Sequence, residues 1–265
     1  RCMKAKEFKK DGAPFLNAIR QRRLTFFPEQ QTDPAFDTYY ESLPNRFTFM
    51  DLLAHQSSSG DTILHLIALS SELGGVLEVI NVESTEEEVE AAVMKKNNGE
   101  ETPLHLACRY LNMPLFEFIV KNTSVEMLQE IASVIVNDGG FNAVMVLFVA
   151  AFNNAAPPLY NFLQNESPPD SWSRQAFESV PINPVFLTFI ARFKQILGAG
   201  LDDLLLTPDW SGNTAFLWAC FTQNEQCIQE CISAFTDPLK LRQAVVATLP
   251  EKEITPFKLL CAFGS

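Results

Sequence analysis

Between residues 99 and 120 the chain reads GEETPLHLACRYLNMPLFEFIV, and its polar and apolar positions divide cleanly. A polar turn signal, Asn98-Gly99, comes first. Thr102 follows, where a helix N-cap is wanted, and Pro103 suits the first helical turn because its missing N–H costs nothing there. Leu104 and Leu106 supply buried surface, and Ala107 and Cys108 are small enough for a neighbouring helix to come close. The pattern predicts a helix that starts at Thr102 and buries one face.

The same anchor returns along the chain. It stands at Thr62-Ile63-Leu64-His65-Leu66-Ile67-Ala68, at Thr214-Ala215-Phe216-Leu217-Trp218-Ala219-Cys220 and at Thr255-Pro256-Phe257-Lys258-Leu259-Leu260-Cys261. Degenerate copies start at Asn142 and Asn183. The starts at 62, 102, 142, 183, 214 and 255 are 40, 40, 41, 31 and 41 residues apart. A shared period across unlike sequences marks stacked repeats. Several copies carry a further helix-like segment: Ser84 to Met94, where Thr85 and Glu88 have capping-box spacing, then Ser124 to Val136, Ser171 to Val180 and Asp237 to Leu249. The 31-residue copy lacks one, and its Leu197-Gly198-Ala199-Gly200-Leu201-Asp202 reads as a glycine-containing repeat end.

The motif Thr102-Pro103-Leu104-His105-Leu106-Ala107 resembles the T-P-L-H-x-A signature of the ankyrin repeat. The resemblance covers about residues 57 to 265. It implies an all-α, ankyrin-like solenoid of about six repeats of 31–41 residues, several with a third helix, the last one truncated. Residues 1–56 are expected to be an N-terminal helical cap. Within it, Pro14 to Leu24 reads as a basic amphipathic helix, Phe26 to Asn45 as a loop with aromatic anchors, and Phe47 to His55 as a second helix. Met3 reads as the natural start. His65 and His105 occupy the signature position, where the ring is expected to bridge backbone groups of adjacent turns. His55 shows no partner in the sequence.

The family's concave surface, made from loop tips and first-helix faces, implies partner contacts at Asp61 and Ser70 in the first copy. In the second copy they are Asn98, Glu100, Arg109 and Tyr110, and in the copy at 214 Asp209, Trp210, Asn213, Phe221 and Gln223. Trp210 and Tyr110 would be the anchors, since aromatic side chains carry much interface energy.

Composition narrows the classes. The net charge is −12; the first 25 residues hold eight Lys/Arg and two acids, leaving a body of 12 basic against 30 acidic residues. So acidic a body repels phosphate, which argues against nucleic acid and for a protein partner with a basic surface. No apolar run reaches the ~18 residues of a membrane span, so any membrane contact would fall to the basic N-terminal helix. Cys108, Cys220 and Cys261 share one repeat position, and Cys227 and Cys231 lie four apart. Core packing in a reducing cytoplasm explains them better than disulfides or a metal. No catalytic, phosphate-binding or metal motif stands out, and no cofactor is expected.

The resemblance therefore implies a non-catalytic scaffold for protein–protein interaction. The third helix and phenylalanine-rich copies are similar in style to ankyrin-repeat effectors that intracellular bacteria inject into host cells. That would make the segment the targeting part of a virulence effector acting in host cytoplasm or nucleus. The alternative is the N-terminal part of an enzyme, for example a cysteine-nucleophile hydrolase, with its catalytic region beyond residue 265.

Overall fold

The computed structural model describes residues 3–4, 24–25, 39, 42, 49–69, 74–155, 183–222, 224–247 and 256. The chain divides into two compact units, residues 1–134 and 135–265. Among the described residues it is all-helical apart from one parallel pair of two-residue strands, β1 (Met3–Lys4) and β2 (Leu24–Thr25), with Met3 opposite Leu24. Leu24, expected to end the basic helix, is thus in a strand; the rest of that helix lies outside the described residues.

The first unit holds α1 (Phe49–Ala54), α2 (Ile63–Ala68), α3 (Gly74–Glu83), α4 (Glu86–Val93), α5 (Pro103–Arg109), α6 (Met113–Lys121) and α7 (Val125–Ser133). Their starts follow local chemistry. Thr62 and Thr102 are the N-caps of α2 and α5, with Pro103 in the first turn of α5. Thr85 and Glu88 form the expected capping box on α4: the Thr85 hydroxyl accepts from Glu88 N at 3.3 Å, and Glu88 Oε2 accepts from Thr85 N at 2.9 Å. Ser124 caps α7, accepting from Met127 N at 3.1 Å. Packing then recurs by type: α2 lies on α5, α3 on α6, and α1 on both α2 and α4. Leu104, Ala107, Cys108, Phe116 and Ile119 are all fully buried in this core. Asn112 ties the layers together. Its Oδ1 caps α6 through Leu115 N at 3.0 Å, while its Nδ2 donates to the Ile67 and Ala68 carbonyls at the end of α2, at 2.9 and 3.2 Å.

The second unit holds α8 (Ala143–Ala155), α9 (Pro184–Leu197), α10 (Gly200–Leu206), α11 (Ala215–Phe221), α12 (Glu225–Ala234) and α13 (Pro238–Val246). Here α8 packs on α11, α9 on α12 and α10 on α13. Two sequence expectations change as a result. The anchor at Asn183 does not open a first helix: α9 pairs with α12, as α3 pairs with α6, and α8 lies directly on α11. The copies starting at 142 and 214 are therefore packed neighbours, and the regular period fails between them. The cause is that Asn183-Pro184, an N-cap followed by proline, is a signal for any helix start. Asp237-Pro238 opens α13 in the same way.

The 31-residue copy also has its third helix. Gly198, at φ +51, ends α9, and α10 begins two residues later. The glycines of 197–202 separate two helices rather than end a repeat. Of the other expected third helices, α4, α7 and α13 are present, and 171–180 lies outside the described residues. So does the sixth anchor, except that Pro256 is helical and buried.

His55 acquires partners the sequence did not reveal. Its Nε2 lies 2.7 Å from the Ser42 hydroxyl, and its ring meets Tyr39 edge-on at 5.1 Å. Tyr39 is fully buried, with its hydroxyl donating to the Leu52 carbonyl at 2.8 Å, so one aromatic of the expected anchored loop does fasten α1.

Candidate partner-binding edge

The loops that precede α2, α5 and α11 share one closure. In the first unit Ser57 N donates to Asp61 O and Gly60 N to Ser57 O, both at 2.9 Å. Asn97 N to Glu101 O and Glu100 N to Asn97 O repeat this at 2.9 Å. In the second unit Asp209 N to Asn213 O and Gly212 N to Asp209 O repeat it again at 2.9 Å. The fourth residue of each loop has a left-handed backbone: Gly60 at φ +80, Glu100 at +61 and Gly212 at +85. Glycine tolerates that region freely, whereas Glu100 is held there against its steric preference.

Within each unit the loops are stitched to one another. Asn98 N donates to Ser59 O at 2.9 Å, Asn98 Nδ2 to Ser58 O at 2.9 Å, and Asn97 Nδ2 to Asp61 Oδ1 at 3.0 Å. Gln56 Nε2 reaches the Lys96 carbonyl at 2.9 Å. In the second unit Trp210 N donates to Gly139 O at 3.1 Å. The Trp210 indole lies across Gly140: a β-carbon there would sit 2.3 Å from Trp210 Cδ1, so only glycine allows the ring to lie so close. Trp210 nevertheless remains 68% exposed.

The expected contact residues separate into two groups. Trp210, Tyr110 at 51% exposure, and Asn98 face solvent. Glu100 is half-exposed and ion-paired with Lys96 at 2.9 Å. Arg109 is half-buried and paired with Glu101 at 2.6 Å. Asp61 is half-buried, accepting from Asn97 and, at 2.5 Å, from the Ser59 hydroxyl. Asp209, Asn213 and Phe221 are buried and have no surface to offer. Phe221 packs edge-on against Trp218, with ring centroids 5.6 Å apart. Asp209 holds its loop closed: Oδ1 accepts from Ser211 N and Asn213 N at 2.8 Å, and Oδ2 from Asn213 Nδ2 at 2.8 Å and Trp218 Nε1 at 3.1 Å. Ser70 and Gln223 lie outside the described residues. Sequence reasoning passed over Ser58, Asn137, Asp138 and Ser211, all exposed at loop tips. Their position one or two residues from the turn glycines was the available signal.

The four described free cysteines are buried, Cys108, Cys220, Cys227 and Cys231. Burial pushes every one of these thiols up, those of Cys220 and Cys227 to about 12. A nucleophilic cysteine needs the thiolate, so these four are poorly suited to covalent chemistry. Among the described residues no group of three or more His, Cys, Asp or Glu side chains is arranged to hold a metal ion, and no helix is long and apolar enough to cross a membrane. Compared with protein-family models, with curated proteins and with solved structures, the chain finds no match in any of the three.

Proposed function

We propose that the chain is a non-catalytic protein-binding scaffold built from ankyrin-like repeats of three helices, in which the loops of each unit hold a partner with a basic surface. The observation that carries this reading is the shared loop closure at 57–61, 97–101 and 209–213, each ahead of an anchor helix. A loop fixed by its own backbone and by its neighbour presents side chains at little entropic cost on binding. Trp210 supplies exposed aromatic surface on such a loop and Tyr110 at the C-terminal end of α5, and the acidic composition favours a basic partner. The buried free cysteines suit a reducing compartment, and the targeting half of an effector acting in host cytoplasm is the form of the proposal that fits the third helices.

Affinity capture from a host-cell lysate tests the reading, with wild-type protein compared against Trp210→Ala combined with Tyr110→Ala. Each exposed anchor typically contributes about 2 kcal/mol, so the double variant is expected to lose at least tenfold in partner recovery. Its melting temperature should stay close to wild type because both side chains are exposed. Unchanged recovery would remove the loops from the proposal.

A further inference from the structure

The two described units differ in how their anchor helices begin. In the first unit a histidine takes the place that glutamate fills in the capping box of α4. Thr62 N donates to His65 Nδ1 at 3.1 Å, and Thr102 N donates to His105 Nδ1 at 3.2 Å. A backbone N–H can only donate, so Nδ1 of both rings must carry a lone pair. The proton then sits on Nε2, which donates onward: from His65 to the Glu101 carbonyl at 2.9 Å, and from His105 to the Val134 carbonyl at 3.0 Å. Each ring thus links its own helix start to the segment that follows, and both are fully buried. The hydroxyls of Thr62 and Thr102 also lie 2.8 Å from these Nδ1 atoms and can donate to them. A second proton would set an N–H against the threonine N–H inside the core, and the hydroxyl would have to turn its own hydrogen away to accept it. In the described first helices of the second unit, α8 and α11, the equivalent positions are Met145 and Leu217, which do not titrate, and all three histidines of the chain precede residue 106.

We propose that His65 and His105 make the first unit an acid-sensitive clasp, whose two loop-to-helix links open on mild acidification while the second unit holds.

The surroundings support the direction. Burial is the largest influence on both rings and favours the neutral form, holding His105 down to about 4. Arg109, His65 and Lys96 push His105 the same way; the Val134 carbonyl opposes them. For His65 the Glu101 carbonyl and Asp61 oppose burial. The other charged side chains on the elements packed against α2 and α5 are Asp51 of α1, Glu117 and Lys121 of α6, and Glu126 and Glu130 of α7. His55 lies on neither anchor helix and is outside the clasp, although burial and then Lys95 lower its folded value too. Because the folded value is depressed, the stability these rings contribute is complete above the unfolded value near 6.5 and is lost as pH falls below it.

Hydrogen exchange on the intact chain at pH 7.0 and 5.5, corrected for the intrinsic rate, tests the clasp. Opening of amides in 62–69 and 102–110 should rise about eightfold from His105 alone, and further with His65. Amides in 143–150 and 215–221 should change far less. In the variant His65→Gln with His105→Gln, each glutamine can accept from the threonine N–H and does not titrate. The rise in the first unit should therefore shrink toward that of the second, leaving only the part due to His55. A variant that keeps the full rise, or a wild type in which both units open alike, overturns the proposal. Should the variant fail to fold, nitrogen-15 imidazole spectra of the wild type decide. Neutral rings protonated on Nε2 at pH 5.5 support the clasp, and imidazolium signals in the folded protein contradict it.

Discussion

Replacing Asp209 by alanine is expected to lower the stability of the second unit by about 3–5 kcal/mol, the range for breaking a buried charged network from one side. The carboxylate is 6% exposed and accepts four hydrogen bonds. Its removal strands the Trp218 indole N–H, the Asn213 amide and two backbone N–H groups at once. Urea unfolding followed by tryptophan fluorescence measures the loss, and Trp218 reports from within the network. The result also separates two roles for this residue. Were Asp209 a surface contact, the substitution would change stability by no more than about 0.5 kcal/mol and act on affinity instead. Asp209→Asn should fall between, since an amide keeps the acceptor for the two backbone groups but turns a donor toward Asn213 and Trp218.

The second large effect is expected at Asp202. This side chain is fully buried on α10 and reaches across to the start of α13. Its Oδ1 accepts from Thr236 N at 2.8 Å, and its Oδ2 from the Thr236 hydroxyl and Asp237 N, both at 2.9 Å. Asp202→Ala should cost about 1–3 kcal/mol, because three hydrogen bonds of a fully buried carboxylate are lost while the donors at exposed Thr236 and half-buried Asp237 recover part of the loss from water. Its chain neighbour provides the control. Asp203 is exposed and pairs with Lys240 at 2.5 Å, and exposed pairs of this kind contribute little. A urea midpoint shifted by Asp202→Ala and nearly unmoved by Asp203→Ala is the expected pattern. Equal effects would mean that α10 and α13 are not joined in this way.

Both residues show where the sequence was readable and where it was not. Thr62, Thr102, Thr214 and the Thr85–Glu88 pair were legible because capping is settled within four residues of chain. So was Asp237-Pro238 as the start of α13. Asp202 was not, because its partners lie 34 and 35 residues away, and Gly198 and Gly200 beside it suggested a break. The anchor at Asn183 misled for the opposite reason. Its local signal is real, but it cannot tell a first helix from a second, and only the packing of α9 on α12 decides. At the candidate site, the sequence located the loops and proposed Trp210 and Tyr110 as their anchors. It could not foresee that Asp209 folds inward to Trp218, nor that Trp210 rests on Gly140, some seventy residues earlier in the chain. The bridging role of His65 and His105 followed from the signature position, whereas the tautomer it forces became evident only from the backbone donors.

The most direct test of the loop contacts is hydrogen exchange on the intact chain with and without the captured partner. The account predicts slowed exchange at 97–101 and 109–111 in the first unit and at 209–212 in the second, with α4, α7 and α13 unchanged. Protection confined to those three helices, with the loops exchanging as in the free protein, would contradict it.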